Sequence, residues 1–92
     1  ARSKAPGFHT TCMNLGYLYQ SQNKYRKAIS CFKQALKIDK LELEPYLQIG
    51  KCYEALGDYK NAVKIYRESL KKDLNQPDIF QALNDAKKKL EK

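Results

Sequence analysis

The chain has 92 residues, 42% of them hydrophobic and 11% aromatic, which suits one small folded domain and argues against disorder. Its 18 basic residues outnumber 10 acidic ones, and the net charge of +8 points to nucleic acid, an anionic membrane or an acidic partner wherever the charge is clustered. No apolar run approaches the roughly 18 residues of a membrane span, and no basic-then-apolar leader opens the sequence.

In chain order, Cys12, Leu15, Leu18 and Tyr19 recur at three- and four-residue spacing and predict an amphipathic helix from about His9 to Ser21. Asn23 tolerates a left-handed backbone and ends it. Tyr25, Ala28, Ile29, Phe32, Ala35 and Leu36 form the stripe of a second helix, from about Lys24 to Ile38. Pro45 fits a first helical turn, and Tyr46, Ile49, Cys52, Tyr53 and Leu56 make the apolar face that follows. Gly57 closes that helix and Asp58 caps the next, which carries Tyr59, Ala62, Val63, Tyr66, Ser69 and Leu70 and ends near Asp73. After Asn75-Gln76-Pro77 a fifth helix carries Ile79, Phe80, Leu83, Ala86 and Leu90.

These stretches repeat at a period of 34 residues. Leu15-Gly16-x-x-Tyr19, Tyr25, Ala28-x-x-x-Phe32 and Ala35-Leu36 align with Ile49-Gly50-x-x-Tyr53, Tyr59, Ala62-x-x-x-Tyr66 and Ser69-Leu70. Phe80 and Leu83 continue the period from Tyr46 and Ile49, whereas Asn84 and Lys87 replace the Gly16/Gly50 and Tyr19/Tyr53 positions. A period in the range of about 20–50 residues marks stacked units that cannot bury their apolar faces alone. The tail from Lys87 to Lys92 is expected to be the wet outer side of a capping helix.

With this motif the chain resembles the tetratricopeptide repeat (TPR) family. The resemblance implies an all-α fold, a right-handed superhelical stack of antiparallel hairpins with about five helices. Its parts would be residues 9–42 and 43–76 as two repeats and 77–92 as a capping helix, with 1–8 the remnant of a preceding repeat. The sequence lacks an initiating Met and is expected to be a piece of a longer protein. Cys12 stands where the family favours Trp, and Lys40 and Leu74 where it often has Pro; Pro6 occupies that Pro position one period earlier. Gly16 and Gly50, with Ala28 and Ala62 opposite, are expected to let hairpin helices approach, while Tyr19, Tyr25 and Phe32 fill the space between hairpins.

By the resemblance, the first helix of each pair lines a concave groove. Its candidate peptide-binding residues are Met13, Asn14, Tyr17 and Gln20, then Leu47, Gln48, Lys51 and Glu54, then Gln81 and Asp85. Thr10, Ser21, Glu44, Ala55, Asp78, Ala82, Lys88 and Lys89 lie on the same faces. Mixed apolar, amide and charged groups suit a peptide or helical segment of another protein. The alternative is plain helix surface, with the binding site in other repeats. A carboxylate clamp for chaperone tails is not expected: Asn14 fits, but Met13, Tyr17, Glu44, Gln48, Asp78 and Ala82 stand where cations would be needed.

Arg26, Ser30, Lys33 and Lys37 share one helix face, and Lys60, Lys64, Arg67 and Lys71 repeat it one period later, with Lys24, Lys27 and Lys72 at the margins. This basic convex face defines the alternative function, an electrostatic adaptor for RNA or an anionic membrane. A solvated face is the simpler explanation, because no aromatic is interleaved on the stripe to stack a base.

Cys12, Cys31 and Cys52 are odd in number with no CxxC pair; they fit small buried side chains in a reducing, cytoplasmic compartment rather than disulfides or a metal site. The lone His9 has no cysteine or carboxylate cluster beside it, and Glu42 and Glu44 fit acids at a helix start rather than an acid–base pair. No enzyme, cofactor or small-molecule substrate is therefore expected. Self-association through the apolar side of the first hairpin is a further expectation.

Overall fold

The computed structural model describes residues 6–38 and 43–91, with side chains from Thr11 onward. Residues 1–5 of the expected remnant, Lys40 and Glu42, and the side chains of His9 and Thr10, lie outside the described residues. Five helices follow one another, α1 Pro6–Ser21, α2 Tyr25–Ile38, α3 Glu44–Ala55, α4 Tyr59–Lys72 and α5 Pro77–Leu90, with no strand among the described residues. Each helix packs chiefly on its neighbours in sequence, the arrangement of a hairpin stack. The helix α1 starts at Pro6 rather than near His9, so Pro6 stands in its first turn, where a missing N–H is harmless.

The two hairpin turns are built alike. Asn23 (φ 64°) and Gly57 (φ 79°) occupy the same repeat position, both left-handed, as the sequence predicted. The N–H one residue later reaches back in each case: Lys24 to the Tyr19 carbonyl and Asp58 to the Tyr53 carbonyl, both at 2.8 Å. That pairing satisfies helix carbonyls which would otherwise lack partners. The α4 start is further fixed by the Asp58 carboxylate, which accepts from the Asn61 backbone N–H at 3.3 Å and from its side-chain amide at 2.6 Å. At the α4 end Gln76 performs the fastening: its amide donates to the Ser69 and Asp73 carbonyls at 2.9 and 2.6 Å, and its oxygen accepts from the buried Ser69 hydroxyl.

Inside each hairpin an aromatic ring rests on a glycine. A Cβ added at Gly16 would lie 2.6 Å from Phe32 Cε1, and one at Gly50 only 2.1 Å from Tyr66 Cε1. The glycines therefore seat rings from the second helix of their own hairpin, so Phe32 fills that site rather than the space between hairpins. Both rings are fully buried, together with Ala28, Ala35, Ile49, Cys52, Ala62 and Ala86.

Burial at equivalent positions differs between the inner and the outermost described helices. Ile49 and Cys52 are fully buried in α3, but their counterparts Leu15 and Leu18 in α1 are 40% and 51% exposed. The expected core places of Leu15 and Leu18 are thus not realised, since no helix precedes α1 among the described residues. Phe80, counterpart of the buried Tyr46, is likewise exposed, as is Leu90; the outer side of α5 is less polar than its lysines suggested.

Gly50→Ala should lower stability by about 1–3 kcal/mol through overpacking against Tyr66. Gly57 has open space around its Cβ position, so Gly57→Ala should cost only the left-handed backbone penalty of about 1–2 kcal/mol. Urea unfolding followed by circular dichroism separates the two if native packing is also monitored: only Gly50→Ala should change the near-UV signal of the tyrosines.

Candidate functional site

The first helices of successive hairpins, α1, α3 and α5, share one face of the stack. Side-chain hydrogen bonds tie α1 to α3 along it. The Tyr17 hydroxyl donates to the Glu44 carboxylate at 2.5 Å, and the Gln20 amide donates to Gln48 Oε1 at 3.2 Å. Tyr17 also stands edge-on to Phe32, ring centroids 5.3 Å apart at 75°. The ring that fills Gly16 thereby also supports a side chain of the concave face.

Between α3 and α5 this face opens into a cleft of about 420 Å³, lined by Leu47, Lys51 and Glu54 on one side and Asp78, Gln81, Ala82 and Asp85 on the other. Tyr66 of α4 completes the lining, and its hydroxyl donates to Glu54 at 2.5 Å. Burial first, and then Glu54, push the Tyr66 phenol far up, so it remains a protonated donor and holds that carboxylate in place. Two further depressions share residues with the cleft: one through Leu47 and Asp78 toward Glu44 and Pro77, the other through Glu54 and Asp85 toward Lys88 and Lys89. The result is a continuous groove with Leu47 and Ala82 as apolar ground. In the central cleft Glu54, Asp78 and Asp85 face Lys51, so the cleft is acidic although the whole chain is strongly basic; Glu44 adds an acid at one end of the groove, and Lys88 and Lys89 add cations at the other.

Of the candidate groove residues, Leu47, Lys51, Glu54, Gln81 and Asp85 converge on the cleft. Tyr17, Gln20 and Gln48 join the adjoining α1–α3 network. Asn14 is exposed outside that network, and Met13 is not a groove residue: it is only 9% exposed and belongs to the core cluster, where its flexible thioether packs. Tyr66 is the groove residue the sequence pattern assigned only to the core. A signal existed, since a tyrosine stands where the first repeat has Phe32, and a buried phenol requires a hydrogen-bond partner.

The convex candidates Arg26, Lys33, Lys37, Lys60, Lys64, Arg67 and Lys71 are all exposed. The stripe is nevertheless not free of aromatics, because α3 brings Tyr53 to it: Lys33 Nζ lies 5.8 Å from the Tyr53 ring centroid, a cation–π contact. The helical wheel of α2 alone could not show a ring supplied by the next hairpin.

Cys12, Cys31 and Cys52 are free thiols, the first and last buried and Cys31 half-buried. Burial raises the Cys52 thiol from 9.0 to about 11, opposed by the Gln20 amide at 3.7 Å. Burial, and then Cys12, also raise Cys31. No group of three or more His, Cys, Asp or Glu side chains able to hold a metal occurs among the described residues, and no helix there is long and apolar enough to cross a membrane.

The tetratricopeptide repeat pattern matches residues 10–40 and again residues 43–75, and the chain belongs to that family. Its fold is that of PcrH from Pseudomonas aeruginosa, at a TM-score of 0.88 and 21% identity over 97% of this chain and 67% of that one. PcrH in complex with the chaperone binding region of PopD superposes at 0.84, again with 21% identity and the same coverage. In complex with the corresponding region of PopB it superposes at 0.76, with 20% identity over 97% of this chain and 80% of that one. Among curated proteins none matches the chain by sequence.

A thiol held neutral by burial makes folding favour the protonated form. Stability from Cys52 should be fully present below about pH 9 and lost as pH rises toward 11. Urea midpoints measured across that window should decline more gently in Cys52→Ala than in the parent.

Proposed function

We propose that the protein is a peptide-binding interaction module whose concave groove takes a segment of another protein, extended or helical, with apolar anchors and flanking lysines or arginines. The observation that carries this is the cleft between α3 and α5. It combines apolar ground at Leu47 and Ala82 with carboxylates at Glu54, Asp78 and Asp85 and one ammonium at Lys51. Such a surface rewards a cationic amphipathic segment and repels an acidic one, by the same complementarity that selects partners elsewhere. PcrH, which has this fold, is known in complex with binding regions of PopD and PopB, and that precedent supports a peptide occupant here. The Tyr17–Glu44 and Gln20–Gln48 bonds hold groove side chains before a ligand arrives, which reduces the ordering cost of binding.

The remaining surface supports this assignment through its contrast. Lysine and arginine dominate the convex side, so an approaching cationic segment is steered toward the groove. The apolar, amide and charged groups that line the cleft suit recognition of a peptide.

Selection from a random peptide library should enrich sequences combining Leu or Phe with Lys or Arg. For a selected peptide, Leu47→Ala should weaken binding by about 1–2 kcal/mol, the range of a central anchor contact. Asp85→Lys should weaken it further at low salt, as read by fluorescence anisotropy. Unchanged affinity in both Tyr17→Ala and Leu47→Ala would remove the groove as the binding site.

A further inference from the structure

A second concavity lies on the opposite side, where α4 meets α5. It measures about 730 Å³, larger than the cleft of the groove. Lys60, Lys64, Arg67 and Lys71 of α4 and Lys87 of α5 surround it, against the acids Glu68 and Glu91. Val63 and the half-exposed Leu90 supply apolar surface. We infer that this cleft is a separate docking site for an acidic amphipathic helix of a partner protein.

The internal period indicates what fits there. One unit earlier, the α2–α3 junction has Lys33 where this one has Arg67, Tyr53 where it has Lys87, and Leu56 where it has Leu90. At that earlier junction α4 supplies a partial cover: Asn61, Lys64, Ile65 and Glu68 line one small crevice with Lys33 and Tyr53, and Leu56 stays 37% exposed. The chain therefore covers part of its own basic-flanked junction with a helix that presents a branched apolar residue and, three positions on, a carboxylate, beside one ammonium. At the α4–α5 junction no helix among the described residues does so, and replacing the tyrosine with Lys87 adds a cation in place of a ring. An occupant must therefore bring more negative charge than α4 does. The stripe from Lys60 to Lys71 extends about 16 Å along α4, the length of about three helical turns. A nucleic-acid strand fits less well, because no aromatic lines this cleft and its ground is aliphatic.

The probe is a labelled 16-residue helical peptide with Ile or Leu at i, i+3 and i+7 and Glu on both flanks, titrated by anisotropy at low and at physiological salt. Saturable binding is expected, weakened by about tenfold or more in the Lys64→Glu/Arg67→Glu double variant through reversed charge, and weakened also in Leu90→Ala. Leu47→Ala, in the concave groove, should leave it unchanged, so failure here and failure of the groove assignment are distinguishable. A Lys-for-Glu version of the peptide should not bind at the convex cleft. The inference is overturned by absence of saturable binding, by full affinity in the double variant, by loss of affinity in Leu47→Ala, or by tighter competing binding of oligouridine or phosphatidylserine vesicles. Circular dichroism of each variant confirms that the helices persist.

Discussion

A ring lying on a glycine sets the geometry on which everything else in this stack depends. Phe32 on Gly16 and Tyr66 on Gly50 occupy the volume a Cβ would need, and each ring is wholly buried. Contact this close fixes how the two helices of a hairpin meet, because packed interiors resist even small volume changes. From there the effect spreads outward. Phe32 supports Tyr17 edge-on, and Tyr66 anchors Glu54, so the same two rings that build the hairpins also place side chains in the groove. Core and groove are not separable layers here; the outer edge of a core ring is part of the groove surface.

The second organising feature is the separation of charge. A chain of net charge +8 gathers Glu44, Glu54, Asp78 and Asp85 on its concave side and its lysine stripes on the convex side. Alternation of helices produces this arrangement. First helices of each pair face inward and second helices outward, so a difference in composition between the two helix types becomes a difference between two molecular faces. Each face then differs in charge, acidic in the cleft between α3 and α5 and basic at the α4–α5 cleft.

Exposure on the outermost described helices follows from the same repetition. Each apolar stripe is laid down for two neighbours, and the terminal helices have only one among the described residues. Leu15 and Leu18 are consequently bare on α1 and Phe80 is bare on α5, although their counterparts Ile49, Cys52 and Tyr46 within the stack are buried. At the basic cleft, likewise, no further helix among the described residues lies over the junction.

Much of this was legible in the 92 residues themselves. Helical spacing, the left-handed Asn23 and Gly57, the Asp58 cap and the repeated glycine–aromatic pairs are local or strictly periodic signals, and backbone sterics translate them directly into five helices in a hairpin stack. The convergence of Leu47, Lys51, Glu54, Gln81 and Asp85 was implied by the resemblance to the tetratricopeptide repeat family, in which the first helix of each pair lines the concave side. Tertiary structure alone decided the remainder. It drew Met13 into the core, turned Tyr66 from a core ring into a groove donor, brought Tyr53 to Lys33 and left Leu15 and Leu18 exposed. Periodicity states which face of a helix a residue occupies, but how far a neighbouring helix covers that face depends on contacts distant in sequence, which no local pattern records.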